Sequence, residues 1–259
     1  MNTKLFNMNL VKYELRNLTG NIFTVIFGLI FPIFMVIFMA PIIVLKVPEE
    51  LKITVMTSIF ITTSMMIPLA TVLIGYSAIF SQELENGIPL RLRLFGYSER
   101  SLLISKISAN LIFMTISLIL YTLASYMILD IQVPTVTSAI ILTVSLYLFG
   151  GFLFILAYGI ALYFKKFGPT YSVTMIFYFA VMMSSGMFGV QAKDFPKALK
   201  NIAYLFPATY IGGDFIDFWQ GGSYNFAPYI QSFIFFGGIC LVILFLAMHH
   251  DSRKVKLKA

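Results

Sequence analysis

Residues 17–45 read NLTGNIFTVIFGLIFPIFMVIFMAPIIVL and contain no Asp, Glu, Lys or Arg. About 20 consecutive apolar residues cross the hydrocarbon of a bilayer as an α-helix, so this stretch is long enough to span a membrane once. The chain contains five further stretches of comparable length without these charged residues, and the six together are 17–45, 53–82, 107–129, 131–164, 167–192 and 218–250. The sequence therefore predicts an all-α integral membrane protein with six transmembrane helices.

The overall composition agrees with this prediction. Hydrophobic residues make up 59% of the chain and charged residues 11%, which would leave a soluble domain without enough polar residues to cover its surface. The stretches run continuously apolar, without the every-second-residue alternation of a transmembrane β-barrel. We predict one domain, 1–259, with spans at about 20–45, 53–80, 105–129, 135–163, 169–190 and 226–249.

The distribution of Lys and Arg predicts the orientation in the membrane. Thirteen of the 18 basic residues lie in segments on the same side as the N-terminus, and five lie in the others. Because cytoplasmic loops are enriched in Lys and Arg, we expect both termini in the cytoplasm. This asymmetry and attraction to anionic lipid headgroups account for the net charge of +7, so no nucleic-acid partner is expected.

Two segments outside the long stretches each allow two interpretations. Residues 1–19 place Asn9, Lys12 and Arg16 on one stripe of a helix, which indicates either an interfacial helix at the membrane surface or an extension of the first span. The apolar run 201–213 is too short to cross a bilayer. It is either a re-entrant segment before the last span or an extracellular helix packed on the bundle.

The longest predicted cytoplasmic interruption, residues 81–100, reads SQELENGIPLRLRLFGYSER. Acidic residues come first and basic residues follow, and Gly87 and Pro89 predict a turn between them. The simplest interpretation is a solvated loop with the arginines expected on the inner side. The alternation of Arg91, Leu92, Arg93 and Leu94 instead favours an ordered loop with one apolar side, such as a docking surface for a cytoplasmic partner.

Glu83, Glu85 and Gly87, followed by this leucine- and arginine-rich turn, resemble the permease subunits of type 2 ATP-binding-cassette (ABC) exporters. The usual run in that family is an acidic-basic-acidic triplet, any residue, and then Gly-Thr. This chain departs from that run with Leu84 in the middle of the triplet and Ile88 in place of Thr.

A second run is similar to the segment before the last span in the drug-export branch of that family. It consists of Phe206-Pro207-Ala208-Thr209-Tyr210, followed by Asp214 and Trp219. Together with the six spans, the N-terminal helix and the long fifth outer loop, the resemblance covers the whole chain.

The resemblance implies a division of labour. The chain has no Gly-x-x-x-x-Gly-Lys-Ser/Thr loop, so ATP and Mg²⁺ are expected to bind a separate ABC ATPase subunit, in two copies, and no catalytic, cofactor or metal site is expected here. A second permease chain, identical or homologous, is implied as well. In the family, the N-terminal helix and the loop transmit closure of the ATPases to the spans. The residues assigned to this coupling are Glu83, Glu85, Gly87, Pro89, Arg91 and Arg93; the candidate outer gate consists of Phe206, Pro207 and Tyr210.

The interior of the predicted spans bears on the energy source and the cargo. Transporters driven by ion gradients usually carry an ionisable residue near mid-membrane, and the charge-free stretches contain no carboxylate, Lys or Arg, which disfavours a proton antiporter. Hydroxyl groups such as those of Thr62, Thr63 and Tyr121 would suit a bulky amphipathic cargo, or would simply make hydrogen bonds between helices.

The predicted function is therefore ATP-driven export of a drug, antimicrobial peptide or lipid-like molecule across the cell membrane, in particular a bacterial plasma membrane. Two alternatives from other classes stay open. A lipid- or glycolipid-modifying membrane enzyme would need convergent catalytic groups, for which only Asp214 and Asp217 offer a carboxylate pair. A non-transporting scaffold or sensor would need none, and would leave the ordered loop without a purpose.

Overall fold

The structure is a computed structural model that describes residues 6–187, 192–213 and 215–256. Within these ranges the chain is helical, and no β-strand is present among them. The α-helices are α1 Met8–Gly20, α2 Ile22–Val44, α3 Glu49–Glu85, α4 Ile88–Leu94, α5 Glu99–Ile128, α6 Val136–Phe164, α7 Phe167–Ser184, α8 Lys197–Ala203, α9 Pro207–Gly212, α10 Phe215–Trp219 and α11 Phe226–Lys256. Two of them contain π-helical turns, Ile26–Ile30 in α2 and Leu69–Tyr76 in α3.

Five helices, α2, α3, α5, α6 and α11, are long and apolar enough to cross a membrane, as expected of a multi-pass membrane protein. They coincide with five of the six predicted spans, although α3 and α5 extend beyond 53–80 and 105–129. The remaining predicted span, 169–190, overlaps α7, which begins two residues earlier at Phe167, has 18 residues and does not belong to this set. Residues 188–190 lie outside the described part of the chain, and the sixth crossing stays a prediction.

Contacts between helix termini distinguish the two ends of the bundle. At one end, Lys165 after α6 forms an ion pair with Asp251 of α11, and the Phe167 N–H of α7 donates to Glu85 of α3. We call this end, which also holds α1 and α4, the basic end. At the opposite end, Trp219 Nε1 donates to the Gln132 carbonyl between α5 and α6 at 2.9 Å. The cytoplasmic location of the basic end stays a prediction.

The centre of the bundle is α3. Within its most apolar stretch 89% of the residues are buried, against 22–39% in the other four long helices. The hydroxyl groups of Thr62 and Thr63 are satisfied locally, since they donate to the carbonyls of Ser58 and Ile59 at 2.8 and 2.7 Å. A hydroxyl that bonds one helical turn back needs no partner from a neighbouring helix. The outer faces of the surrounding helices carry exposed apolar side chains, such as Ile119.

The N-terminal segment forms a helix of its own. Asn21 interrupts the chain after α1, with an extended backbone and a side chain that accepts hydrogen bonds from the Phe23 and Thr24 N–H groups and so caps α2. The alternative interpretation, an extension of the first span, is therefore wrong. The predicted polar stripe is exposed on α1 and consists of Asn9, Lys12 and Arg16. Its position at a membrane surface stays a prediction.

Helices α2 and α3 approach each other at two glycines. A Cβ atom on Gly28 would lie 2.6 Å from Thr71 Cγ2, and one on Gly75 would lie 2.7 Å from Thr24 Oγ1. Each contact joins a glycine of one helix to a threonine of the other, and small residues allow such close approach in membrane bundles. Each glycine lies in the π-helical turn of its helix.

We predict that Gly28→Val destabilises the protein by about 1–3 kcal/mol, because the new side chain overlaps Thr71 and forces α2 away from α3. Thermal unfolding of the detergent-purified protein measures the effect. The matched control is Gly151→Val in α6, where an added Cβ meets no atom within 4 Å. An equal loss of stability in both variants would contradict the close packing of α2 on α3.

Candidate functional site

Three charged residues from three helices meet inside the basic end. Lys106 Nζ of α5 donates to Glu14 Oε1 of α1 at 2.8 Å and to Glu83 Oε2 of α3 at 2.5 Å. The exposed fractions of Glu14, Glu83 and Lys106 are 4%, 4% and 5%. We call these three residues the buried triad. Charges removed from water are stabilised only by good pairing, so each member depends on the other two.

The triad is built on helix faces that are otherwise apolar. Leu10, Glu14 and Leu18 follow one another at intervals of four residues on the buried face of α1. Apolar residues of the same three helices form one buried cluster near the triad. It consists of Val11, Leu18, Ile79, Ala109 and Phe113. The ionic and apolar contacts therefore belong to one interface between α1, α3 and α5.

The triad corrects part of the sequence-based interpretation. Glu83, predicted in a cytoplasmic loop, lies in the last turn of α3 and is buried, so its described contacts are internal. Glu83 directly follows the charge-free stretch 53–82 and Lys106 directly precedes 107–129, so a search within the stretches overlooks both. A gradient-driven transporter is consequently disfavoured only by the interior of the stretches. The missed signal was Glu14, an acidic residue on an apolar helix face.

The rest of the acidic segment is attached to a fourth helix. Glu85 Oε2 accepts a hydrogen bond from the Phe167 N–H at 2.9 Å, at the first residue of α7. The first N–H groups of a helix have no partner within it, and the positive end of the helix dipole favours a carboxylate there. The turn predicted at Gly87 and Pro89 is present: Gly87 has φ 66°, which favours glycine, and Pro89 lies in the first turn of α4.

Helix α4 exposes apolar side chains at the surface of the basic end. Leu90, Leu94 and Phe95 are 60%, 81% and 79% exposed, and we call these three residues the α4 apolar face. Leu90 and Leu94 are four residues apart and so share one side of the helix. The predicted arginines stabilise the segment: Arg93 pairs with Glu99 at 2.5 Å, and Arg91 donates to the Asn86 carbonyl at 3.1 Å.

The candidate gate residues lie at the end opposite the basic end. The Phe206 ring packs against Phe177 of α7 and Phe236 of α11, with centroid distances of 5.7 and 6.2 Å. The Tyr210 carbonyl accepts a hydrogen bond from the Tyr224 hydroxyl at 3.1 Å. The buried Pro207 begins α9. The structure thus brings Phe206, Pro207 and Tyr210 together between α7 and α11, and their gating role stays a prediction.

Two related predictions remain open at that end. Asp214 lies outside the described residues, so its pairing with the exposed Asp217 is not described. In the run 201–213, α9 is buried against the neighbouring helices, and a Cβ on Gly212 would lie 2.0 Å from the Ser185 carbonyl oxygen. Both the re-entrant and the extracellular interpretation agree with this packing.

The buried position of Glu14 changes its acidity. The pKa of Glu14 is raised to about 7, chiefly because burial disfavours the charged carboxylate; Lys106 opposes this rise and the neighbouring Glu83 adds to it. A proton taken up by Glu14 leaves Lys106 and Glu83 as a neutral pair. The triad therefore changes its net charge near neutral pH.

We predict that the raised pKa of Glu14 makes stability depend on pH. The folded protein holds this proton more tightly than the unfolded chain, so the contribution is complete below pH 4.5 and is lost as the pH rises to about 7. The free energy of unfolding should fall by up to about 1.4 kcal/mol per pH unit in this window. Glu14→Gln should flatten the profile in thermal unfolding. An unchanged slope in that variant would contradict the assignment.

We predict that Lys106→Met destabilises the protein by about 3–5 kcal/mol, because it leaves two buried carboxylates without a cation. Adding Glu14→Gln and Glu83→Gln should restore most of the loss in thermal unfolding. Lys165→Met is the matched control, since its pair with Asp251 is partly exposed and should contribute about 0–1 kcal/mol. A similar small effect in both Lys→Met variants would mean that the triad does not stabilise the bundle.

Comparisons with protein-family models, curated proteins and solved structures found no match for this chain. The resemblance to ABC exporter permeases therefore rests on the residues quoted from the sequence. Function has to be argued from the buried triad and from the α4 apolar face.

Proposed function

We propose that the chain is the membrane-spanning subunit of an ATP-driven ABC exporter. It pairs with a second permease chain and with a separate ATPase subunit, and it moves a hydrophobic or amphipathic compound out of the cell. The observation that carries the proposal is α4: an exposed apolar face on a short helix whose base is attached to other helices by ionic and polar contacts.

The α4 apolar face is suited to docking. Large exposed apolar side chains that cluster on one surface usually mark an interaction site. Covering Leu90, Leu94 and Phe95 would be favourable by about 25 cal/mol for each Å² removed from water. Arg91 and Arg93 on the same short helix would favour an acidic rim on the partner. An ATPase subunit with an apolar groove and an acidic edge has this chemistry.

The base of α4 is suited to transmitting force. Two residues before the Gly87 turn, Glu85 holds the start of α7, and Glu83 holds Lys106 of α5. Lys106 in turn holds Glu14 of α1. A displacement of α4 would therefore be transmitted to α1, α3, α5 and α7. A loosely attached loop would change its own conformation instead. In this account Glu83 is a positioning residue, and the exposed side chains of α4 make the contact with the ATPase.

The test is whether the reading frame beside this one encodes an ATPase with a phosphate-binding loop, whether that ATPase co-purifies with the tagged chain, and whether the chain stimulates its ATP hydrolysis in lipid nanodiscs. We predict that the wild-type chain retains the ATPase and stimulates it. Leu94→Asp should lower retention by roughly tenfold or more, because it places a charge in the apolar contact. Since Leu94 is largely exposed, the variant should fold normally.

Leu199→Asp is the control, because Leu199 is also exposed but lies in α8, near the end opposite the basic end. It should leave retention and stimulation unchanged. If the wild-type chain neither retains nor stimulates an ATPase, the exporter proposal fails. If Leu94→Asp and Leu199→Asp behave alike, α4 is not the docking helix.

A further inference from the structure

A half-open cavity of about 470 Å³ lies at the basic end, between α3, α5, α6 and α11, with α4 forming part of its wall. Its charged lining is arranged as three ion pairs, namely Glu83–Lys106, Arg93–Glu99 and Lys165–Asp251. Leucines of α4 and α5 supply much of the remaining wall. The cavity thus combines an apolar interior with charged groups that already have partners.

Three stacked aromatic rings form one side of the cavity. The rings of Tyr76 and Phe80 lie 5.4 Å apart with an interplanar angle of 9°, and those of Phe80 and Tyr158 lie 5.1 Å apart at 14°. The faces of such rings are electron-rich and attract cations. Lys106 Nζ already lies 5.8 Å from the centre of the Phe80 ring. This side of the cavity therefore favours a flat or cationic guest.

Two polar atoms of the lining residues lack hydrogen-bond partners. Among the described residues, neither the Tyr76 hydroxyl nor Glu83 Oε1 has one, although both atoms are buried. Tyr76, Phe80 and Glu83 follow one another at i, i+4 and i+7 and so share one face of α3. A buried polar group without a partner destabilises the structure. A ligand with N–H groups would supply the missing donor to Glu83.

The charge balance points to the same kind of ligand. The pairs of Arg93 with Glu99 and of Lys165 with Asp251 are neutral. The triad has two carboxyl groups against one ammonium group, because Glu14 shares Lys106 with Glu83, so it carries a net negative charge whenever Glu14 is ionised. An added cation is therefore favoured over an added anion at this wall.

We propose that this cavity binds an amphipathic cation. Its protonated amine donates to Glu83 Oε1 beside the Tyr76 hydroxyl, and its aromatic or apolar body lies against Phe80 and Tyr158. The site lies within one chain and needs neither an ATPase nor a second permease chain. It therefore goes beyond the exporter proposal and is measured separately from it.

The test uses the full chain in nanodiscs of zwitterionic phosphatidylcholine, with empty nanodiscs as the blank. The probes are tricyclic aromatics of similar size at neutral pH: cationic 9-aminoacridine, neutral acridine and anionic 9-anthroate. Equilibrium dialysis with fluorescence detection gives their affinities. We expect saturable binding of 9-aminoacridine, with the neutral and anionic probes at least about tenfold weaker, as expected for loss of a charged hydrogen bond.

Two variants locate the site. Glu83→Gln should weaken binding of 9-aminoacridine by about tenfold or more, and Tyr76→Phe by about threefold to tenfold. Tyr76→Phe keeps the ring and removes only a buried hydroxyl that has no partner among the described residues, so it keeps the test valid if Glu83→Gln fails to fold. Tyr178→Phe is the matched control, since Tyr178 has an equally unpartnered buried hydroxyl but is not among the residues that line the cavity.

Equal affinity for the three probes would overturn the proposal. So would wild-type affinity in Tyr76→Phe, or an equal loss of affinity in Tyr76→Phe and Tyr178→Phe. If the wild-type chain retains an ABC ATPase but does not bind 9-aminoacridine, the proposed cation site is wrong and the exporter proposal stands.

Discussion

The ammonium group of Lys106 binds two carboxylates from two other helices, and the arrangement of the basic end depends on it. Glu14 precedes Lys106 by 92 residues and Glu83 precedes it by 23, so the cluster forms only when α1, α3 and α5 are in place. A lone buried charge is costly, and each partner offsets the desolvation of the others. The triad therefore selects one arrangement of these helices over others with similar apolar contact.

The central position of α3 connects the triad to most of the bundle. The other helices bury most of α3, so a displacement at its end would change its contacts with its neighbours. The same helix end carries Glu85, which holds α7, and the Gly87 turn, which leads into α4. The side of α3 that faces the cavity carries Tyr76, Phe80 and Glu83. The docking helix α4, the triad and the ligand cavity would thus all lie at the same end of α3.

Features set by local sequence were predictable, and features set by distant contacts were not. Charge-free length predicted the five long helices, and Gly87 with Pro89 predicted the turn before α4, because both depend on residues near in sequence. The triad joins residues far apart in the chain, and no spacing pattern connects them. The close approach at Gly28 depends on Thr71 of another helix, which the sequence pattern of one helix does not specify.

In the proposed mechanism the triad transmits changes at the end of α3 to α1. Glu83 reaches α1 through Lys106, so Glu83→Gln tests transmission more directly than a change in α1 itself. Hydrogen–deuterium exchange of the backbone amides in Met8–Gly20, compared between the wild-type chain and this variant in nanodiscs, measures it. We expect faster exchange throughout α1 in the variant. Unchanged exchange in α1, with faster exchange confined to the residues around Glu83, would contradict it.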